Sequence, residues 1–250
     1  MSLNLHQQFA TKNKCYITGA KITPCGVMVH STGANNPNLK RYVQPDDGLL
    51  GANPYGNSMN EYKPGGRTVC PHAFIGKLAD GSIAAYQILP WDMEGWHAGG
   101  EANALGYIGF EICEDGLSDP DYFNAVYREA VELTAYLCNM YGFDPHGYNE
   151  DGYPYVLCHS EGYMLDIASN HGDVMHWFPR HGKSMDTFRA DVAIAMKGEP
   201  DMDYEKEKAL ATEWVKEQGI SDGTRPYDPL LRVEYWVMLY REAMKEDKQK

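Results

Sequence analysis

Long apolar runs are missing from this chain, and none approaches the roughly 20 consecutive apolar residues that a bilayer-spanning helix needs. The N-terminus, MSLNLHQQFATKNK, lacks the apolar centre of a secretory signal. Synthesis in the cytoplasm without a signal peptide, and no membrane insertion, are therefore expected. Basic residues are scarce. Lys and Arg number 22 against 35 Asp and Glu, a net charge of −13, which argues against non-specific attraction to nucleic acid or to anionic membranes. The six cysteines (Cys15, Cys25, Cys70, Cys113, Cys138, Cys158) contain no C-x-x-C pair, so they form neither a zinc ribbon nor a dense disulfide framework. Free thiols are expected; Cys15 and Cys25, across a turn-rich KITP, are a pair that an oxidising compartment could join. What the chain does have is apolar material. Its 43% hydrophobic content over 250 residues suffices for one large core with a small appendage.

In chain order, residues 1–26 read as an irregular, partly helical arm broken by Gly19 and Pro24. Val27 to Ser31 is a short strand with Val27 and Val29 on one face and Met28 and His30 on the other. Residues 33–66, crowded with Gly, Asn and Pro, read as a long surface loop with a helical turn around Leu39 to Val43. The runs His72–Gly76 and Ile83–Leu89 flank Asp80-Gly81, a strong hairpin signal. Tyr107 to Glu114 alternates Ile108, Phe110 and Ile112 against Gly109, Glu111 and Cys113. Asp119-Pro120 opens a helix ending at Tyr141 before Gly142, with Tyr122, Val126, Ala130, Leu133, Leu137 and Met140 on its apolar face. Ser184 caps a last helix through Met196.

The chemistry gathers around YVLCHSEGYMLDIASNHGD, residues 155–173. His159 sits where an apolar strand gives out, and Asp173 follows His171 after a turn-rich insert. With His30, at the end of another apolar run, they make a candidate tetrahedral zinc set; a residue of this kind taken singly is more often an ordinary polar residue than a ligand. Glu111 is a carboxylate inside an apolar strand, costly to ionise unless a salt bridge or a reaction uses it. Trp96 and His97, on a loop near strand ends, are candidate substrate contacts, with packing as the plainer reading. Cys158 and His159 are neighbours on a strand and point to opposite faces, so they cannot be a thiol-imidazole dyad.

The motifs MVHST, HAFIGKLADGSIAAYQILP, WHAGG, IGFEICE, CHSE and NHGD, with WF and SMDTFRADV after them, appear in an order that resembles zinc-dependent N-acetylmuramoyl-L-alanine amidases. The type is that of phage lysozyme-amidases and peptidoglycan recognition proteins, and the likeness covers roughly residues 20–197. It implies an α/β fold with a central, mixed but mainly parallel sheet flanked by helices and zinc at one end of the sheet. Carried over, His30 and His159 match the zinc histidines, Asp173 the third ligand, Glu111 the catalytic glutamate and His171 the residue that stabilises the oxyanion. Val174 stands after Asp173 where the commonest pattern has proline, which leaves Asp186 as the alternative third ligand.

The division implied is a catalytic domain over 1–198 and a helical segment over 203–250, in which WVKEQGISDGTRP resembles part of an S-layer homology repeat. The leading function is cleavage of the bond between N-acetylmuramic acid and L-alanine in peptidoglycan, by an endolysin-like bacteriolytic enzyme of a phage or prophage acting on the cell wall after release. A catalytically silent peptidoglycan-binding module of the same fold is the alternative, and a thiol hydrolase using Cys158 or Cys70 is a third class. The tail has neither histidine nor cysteine, and its apolar residues suit wall attachment, a homodimer or a helical hairpin docked on the catalytic domain of the same chain. Truncation after Gly198 is expected to keep hydrolysis of a small soluble muramoyl-peptide while lowering binding to intact walls or the mass in solution. Loss of the soluble-substrate activity in a truncated but folded chain would place part of the active site in the tail.

Overall fold

Strands β1 (Leu5–Gln7), β2 (Gly26–Asn35), β3 (Ala73–Lys77), β4 (Ile83–Gln87), β5 (Tyr107–Glu114) and β6 (Val156–Cys158) form one sheet in the order β1-β4-β3-β5-β2-β6. The β3–β4 hairpin is antiparallel, and the other pairings are parallel. The computed structural model describes residues 3–61, 69–197, 212–214 and 216–217. Parallel strands are covered on both faces and so read as nearly continuous apolar runs; β2 is buried from Gly26 through Ser31. Val27, Val29, Ile108, Phe110 and Ile112 pack under helices α3 (Pro120–Tyr141) and α5 (Met185–Ala195). The opposite face carries a second core of Leu39, Tyr42, Val43, Leu50, Phe74 and Tyr86, and a third that includes Met28, Tyr107 and Leu157. The shorter helices are α1 (Lys14–Thr18), α2 (Ala102–Leu105) and α4 (His159–Met164).

Local chemistry explains the boundaries. Asp80 Oδ1 accepts from Ser82 N–H at 2.9 Å and Ser82 Oγ at 2.6 Å, closing the β3–β4 turn. Asp119 Oδ1 accepts from the N–H groups of Asp121 (3.0 Å) and Tyr122 (3.2 Å), satisfying two of the donors that a helix start leaves open. The apolar face of α3 is buried from Tyr122 to Leu137, but Met140 is 45% exposed, so the covered stripe ends a turn before the helix does. Arg189 on α5 donates to the Val156 carbonyl and to Glu161 on α4 at 2.6 Å. Those bonds tie the first residue of β6 and the first turn of α4 to α5.

Two expectations change. The N-terminal arm is partly helical as expected, Asn13 capping α1 by accepting from Cys15 N–H at 2.8 Å, but Leu5–Gln7 also adds a strand to the sheet edge. The stretch after β2 makes the expected helical turn, a 3-10 turn at Leu39–Arg41, and is exposed over 46–49, but it is not all surface: Leu39, Tyr42, Val43, Leu50 and Met59 are buried against the sheet; residues 62–66 of it lie outside the described residues. The chain divides into two compact units, Met1–Met196 and Lys197–Lys250. The helical hairpin expected over 203–250, with its S-layer-homology-like repeat, lies outside the described residues except for helical 212–214 and 216–217. No helix among the described residues is long and apolar enough to cross a membrane. Asp119→Ala is expected to destabilise the folded unit by about 1 kcal/mol through loss of the α3 cap, read by urea denaturation. An unchanged midpoint would show that the cap contributes nothing to global stability.

Candidate metal centre

The site lies at the carboxyl ends of the central parallel strands, where open α/β sheets leave a crevice for ligands. Register places the residues. In the β2–β5 pair His30 stands directly beside Glu111, and in the β3–β5 pair Phe74 flanks Glu111 on its other side. In the β2–β6 pair Val29 faces Cys158, so His159, one step further, comes level with His30 as α4 begins. The loop after α4 returns Asp173 to the same point.

His30 Nδ1 lies 3.0 Å from His159 Nδ1 and 3.1 Å from Asp173 Oδ2, and His159 Nδ1 is 3.6 Å from that oxygen. Among the described residues these three form a group able to hold a metal ion. Donors on a tetrahedron with bonds of about 2.0–2.1 Å stand about 3.3–3.4 Å apart, so the nitrogen and oxygen spacing fits zinc. Protonation suits ligation too. Burial pushes the His30 imidazole below its ordinary value, towards the neutral form. Burial works to raise the Asp173 carboxyl, but His159 and His30 beside it hold it well below the usual carboxylate range. Asp186, the alternative ligand, is 94% exposed at its side chain and paired with Arg189 at 3.1 Å, away from this group.

A cleft of about 700 Å³ opens onto the centre. Glu111, His159, His171 and Asp173 lie along it with Trp96 and His97; Tyr42, Met59, Val69, Pro71 and Phe74 give it an apolar wall. His171 is exposed on the rim, its Nδ1 3.0 Å from Ser169 Oγ, and its ring lies 4.7 Å from that of His159. Both ring nitrogens of His97 are engaged, Nδ1 with His30 Nε2 at 2.9 Å and Nε2 with the Tyr107 carbonyl at 3.0 Å. Ser169, Tyr42 and His176 also lie at the cleft without a sequence signal for it. Ser169 lies in a turn-rich run with no pattern of its own, and Tyr42 belongs to the helical turn within the Gly-, Asn- and Pro-rich stretch. His176 also lines the cleft, and its Nε2 meets Glu114 Oε1 at 2.8 Å, a pairing between residues far apart in sequence.

The cysteines are buried or partly buried and free, Cys15 and Cys25 included. Burial pushes the Cys158 thiol up to about 12, and its side chain belongs to the core under α3. The Cys70 thiol is raised well above its ordinary range by a hydrogen bond with Cys15 and by burial. A nucleophile needs the thiolate, which these environments disfavour.

The model of the N-acetylmuramoyl-L-alanine amidase family matches residues 20–178. Among solved structures the chain is similar to the hydrolase AmiA of Staphylococcus aureus, crystallised with its ligand, at 16% identity and a TM-score of 0.53, covering 77% of this chain and 82% of that one. It is also similar to the PlyG catalytic domain in solution, at 16% identity and a TM-score of 0.50, over 80% of this chain and 99% of the other. At such identity these likenesses show the shared fold, a mostly parallel sheet flanked by helices. No curated protein matches the chain. Iodoacetamide applied to the native protein is expected to leave Cys70 and Cys158 unmodified, as read by peptide mass spectrometry. Rapid labelling of either with loss of activity would favour a thiol nucleophile.

Proposed function

We propose, from the premise that the chain belongs to the N-acetylmuramoyl-L-alanine amidase family, that it is a zinc-dependent enzyme hydrolysing the amide between N-acetylmuramic acid and L-alanine in peptidoglycan. The observation that carries this reading is the convergence of His30, His159 and Asp173 beside Glu111 in one cleft. A zinc ion held by those three would supply Lewis acidity and bring the pKa of the water it polarises towards about 7. The chain's own residues do the rest. Glu111 takes a proton from the attacking water as its oxygen bonds to the lactyl carbonyl carbon, and returns it to the alanine nitrogen as the C–N bond breaks. His171, on the rim, donates from Nε2 to the carbonyl oxygen as it gains negative charge, which requires the doubly protonated ring because its Nδ1 also donates, to Ser169 Oγ. Trp96 offers an aromatic face to sugar or peptide.

The endolysin-like role follows from the same reading, with action on the cell wall after release from the cytoplasm, and the tail serves attachment or dimerisation. The competing reading is a silent peptidoglycan-binding module. What favours the enzyme is that the base position and all three ligand positions are filled by residues competent for the task. Glu111→Gln keeps the size and hydrogen-bonding reach of the side chain while removing the base, so turnover of muramoyl-peptides is expected to fall by about 10²–10⁴-fold. Zinc content, measured by atomic emission, should stay at the parental value. A Gln variant as active as the parent would sink the base assignment, and a parent with no turnover of any muramoyl-peptide would favour the binding module.

A further inference from the structure

We propose that His97 and Ser169 are positioning residues that fix which ring nitrogen His30 and His159 present to the metal; this rests on the zinc reading above. Two backbone carbonyls, which can only accept, fix the hydrogens of the group. Tyr107 O lies 3.0 Å from His97 Nε2, so that nitrogen carries the hydrogen and a neutral His97 keeps its lone pair on Nδ1. That Nδ1 is 2.9 Å from His30 Nε2, which must then donate. His30 is left with its lone pair on Nδ1, the atom that faces His159 and Asp173.

The second arm follows the same logic. Ser169 Oγ donates its one hydrogen to the Ala98 carbonyl at 3.1 Å. Its contacts with His159 Nε2 at 3.2 Å and His171 Nδ1 at 3.0 Å are then hydrogen bonds in which the rings donate. His159 too keeps Nδ1 free for the metal. The two arms end on one short loop, and Asn103 Oδ1 holds that loop by accepting from the N–H groups of His97 (3.1 Å) and Ala98 (2.9 Å).

The backbone is shaped to admit both groups. Gly109, in the middle of β5, has the His97 ring directly above it, where a Cβ would lie 2.3 Å from Nδ1. Gly99, at φ +63°, has Ser169 in the corresponding place, where a Cβ would lie 2.6 Å from Oγ. Two glycines thus hold open the space for two orienting side chains. Outer partners of this kind set the tautomer of a ligating histidine and the direction of its ring. His97, with both nitrogens engaged, acts through His30 and not on the substrate.

The test is zinc affinity of the full chain, measured by competition with a chromophoric chelator, for the parent and for His97→Leu, His97→Gln and Ser169→Ala. Removing either partner should weaken zinc binding about 10–100-fold, while Gln, which retains one acceptor and one donor, should bind more tightly than Leu. Circular dichroism identifies any variant that fails to fold. For that case, long-range proton–nitrogen NMR of the zinc-loaded parent reads the tautomer directly and should find His97 protonated on Nε2 alone. Parental affinity in both His97→Leu and Ser169→Ala, equal losses in His97→Leu and His97→Gln, or a proton on His97 Nδ1 would overturn the assignment while leaving the zinc reading intact. A parent that takes up no zinc would overturn the zinc reading and this assignment with it.

Discussion

The pairing of β2 with β5 is the constraint on which the site depends. It sets His30 beside Glu111 and leaves Val27, Val29, Ile108, Phe110 and Ile112 together on the buried face under α3. Strand side chains alternate, so a slip of one residue would drive the valines out of the core and turn both polar residues away from the cleft. The apolar face therefore holds the polar one in register, and packing energy is converted into the placement of His30 beside Glu111. β6 follows the same rule, because Val156 and Cys158 pack in the core while His159 emerges at the strand end.

Burial at this point has an electrical side. His30 and His72 are almost wholly removed from water, and His97 lies packed against His30 and His72. Burial lowers all three, His72 to about 4. Neutral imidazoles are what metal ligands and hydrogen-bond acceptors have to be, so the desolvation that would penalise a charge here favours the useful protonation state. Asp173 brings a negative charge to the centre, its carboxyl held well below the usual carboxylate range against burial by His159 and His30.

Much of this was legible in the chain, and the failures have physical causes. The strand Tyr107–Glu114 and the helix Pro120–Tyr141 are announced by alternation, a cap and a glycine stop, all local signals. His30 and His159 stand at the ends of apolar runs, where polar side chains are conspicuous, whereas Asp173 follows a turn-rich insert. β1 escaped notice because LHQ has no apolar pattern and becomes a strand only by pairing with β4. Leu39, Tyr42, Val43, Leu50 and Met59 looked like isolated apolar residues among Asn, Gly and Pro, yet together they cover a sheet face. Ser169 and Asn103 were silent for a similar reason. Their roles are hydrogen bonds to partners far away in sequence, and such bonds leave no periodicity.

The sheet has one further property, set by its two ends. Both outer strands, β1 and β6, are three residues long, and the chain turns from β6 directly into a helix. A sheet edge recruits a foreign strand through a row of unpaired amide and carbonyl groups, and three residues offer a very short row. Strand exchange between copies, and growth of the sheet into fibrils, have little to start from on either side. Association of this unit with another copy would therefore have to use side chains on helices and loops, not backbone.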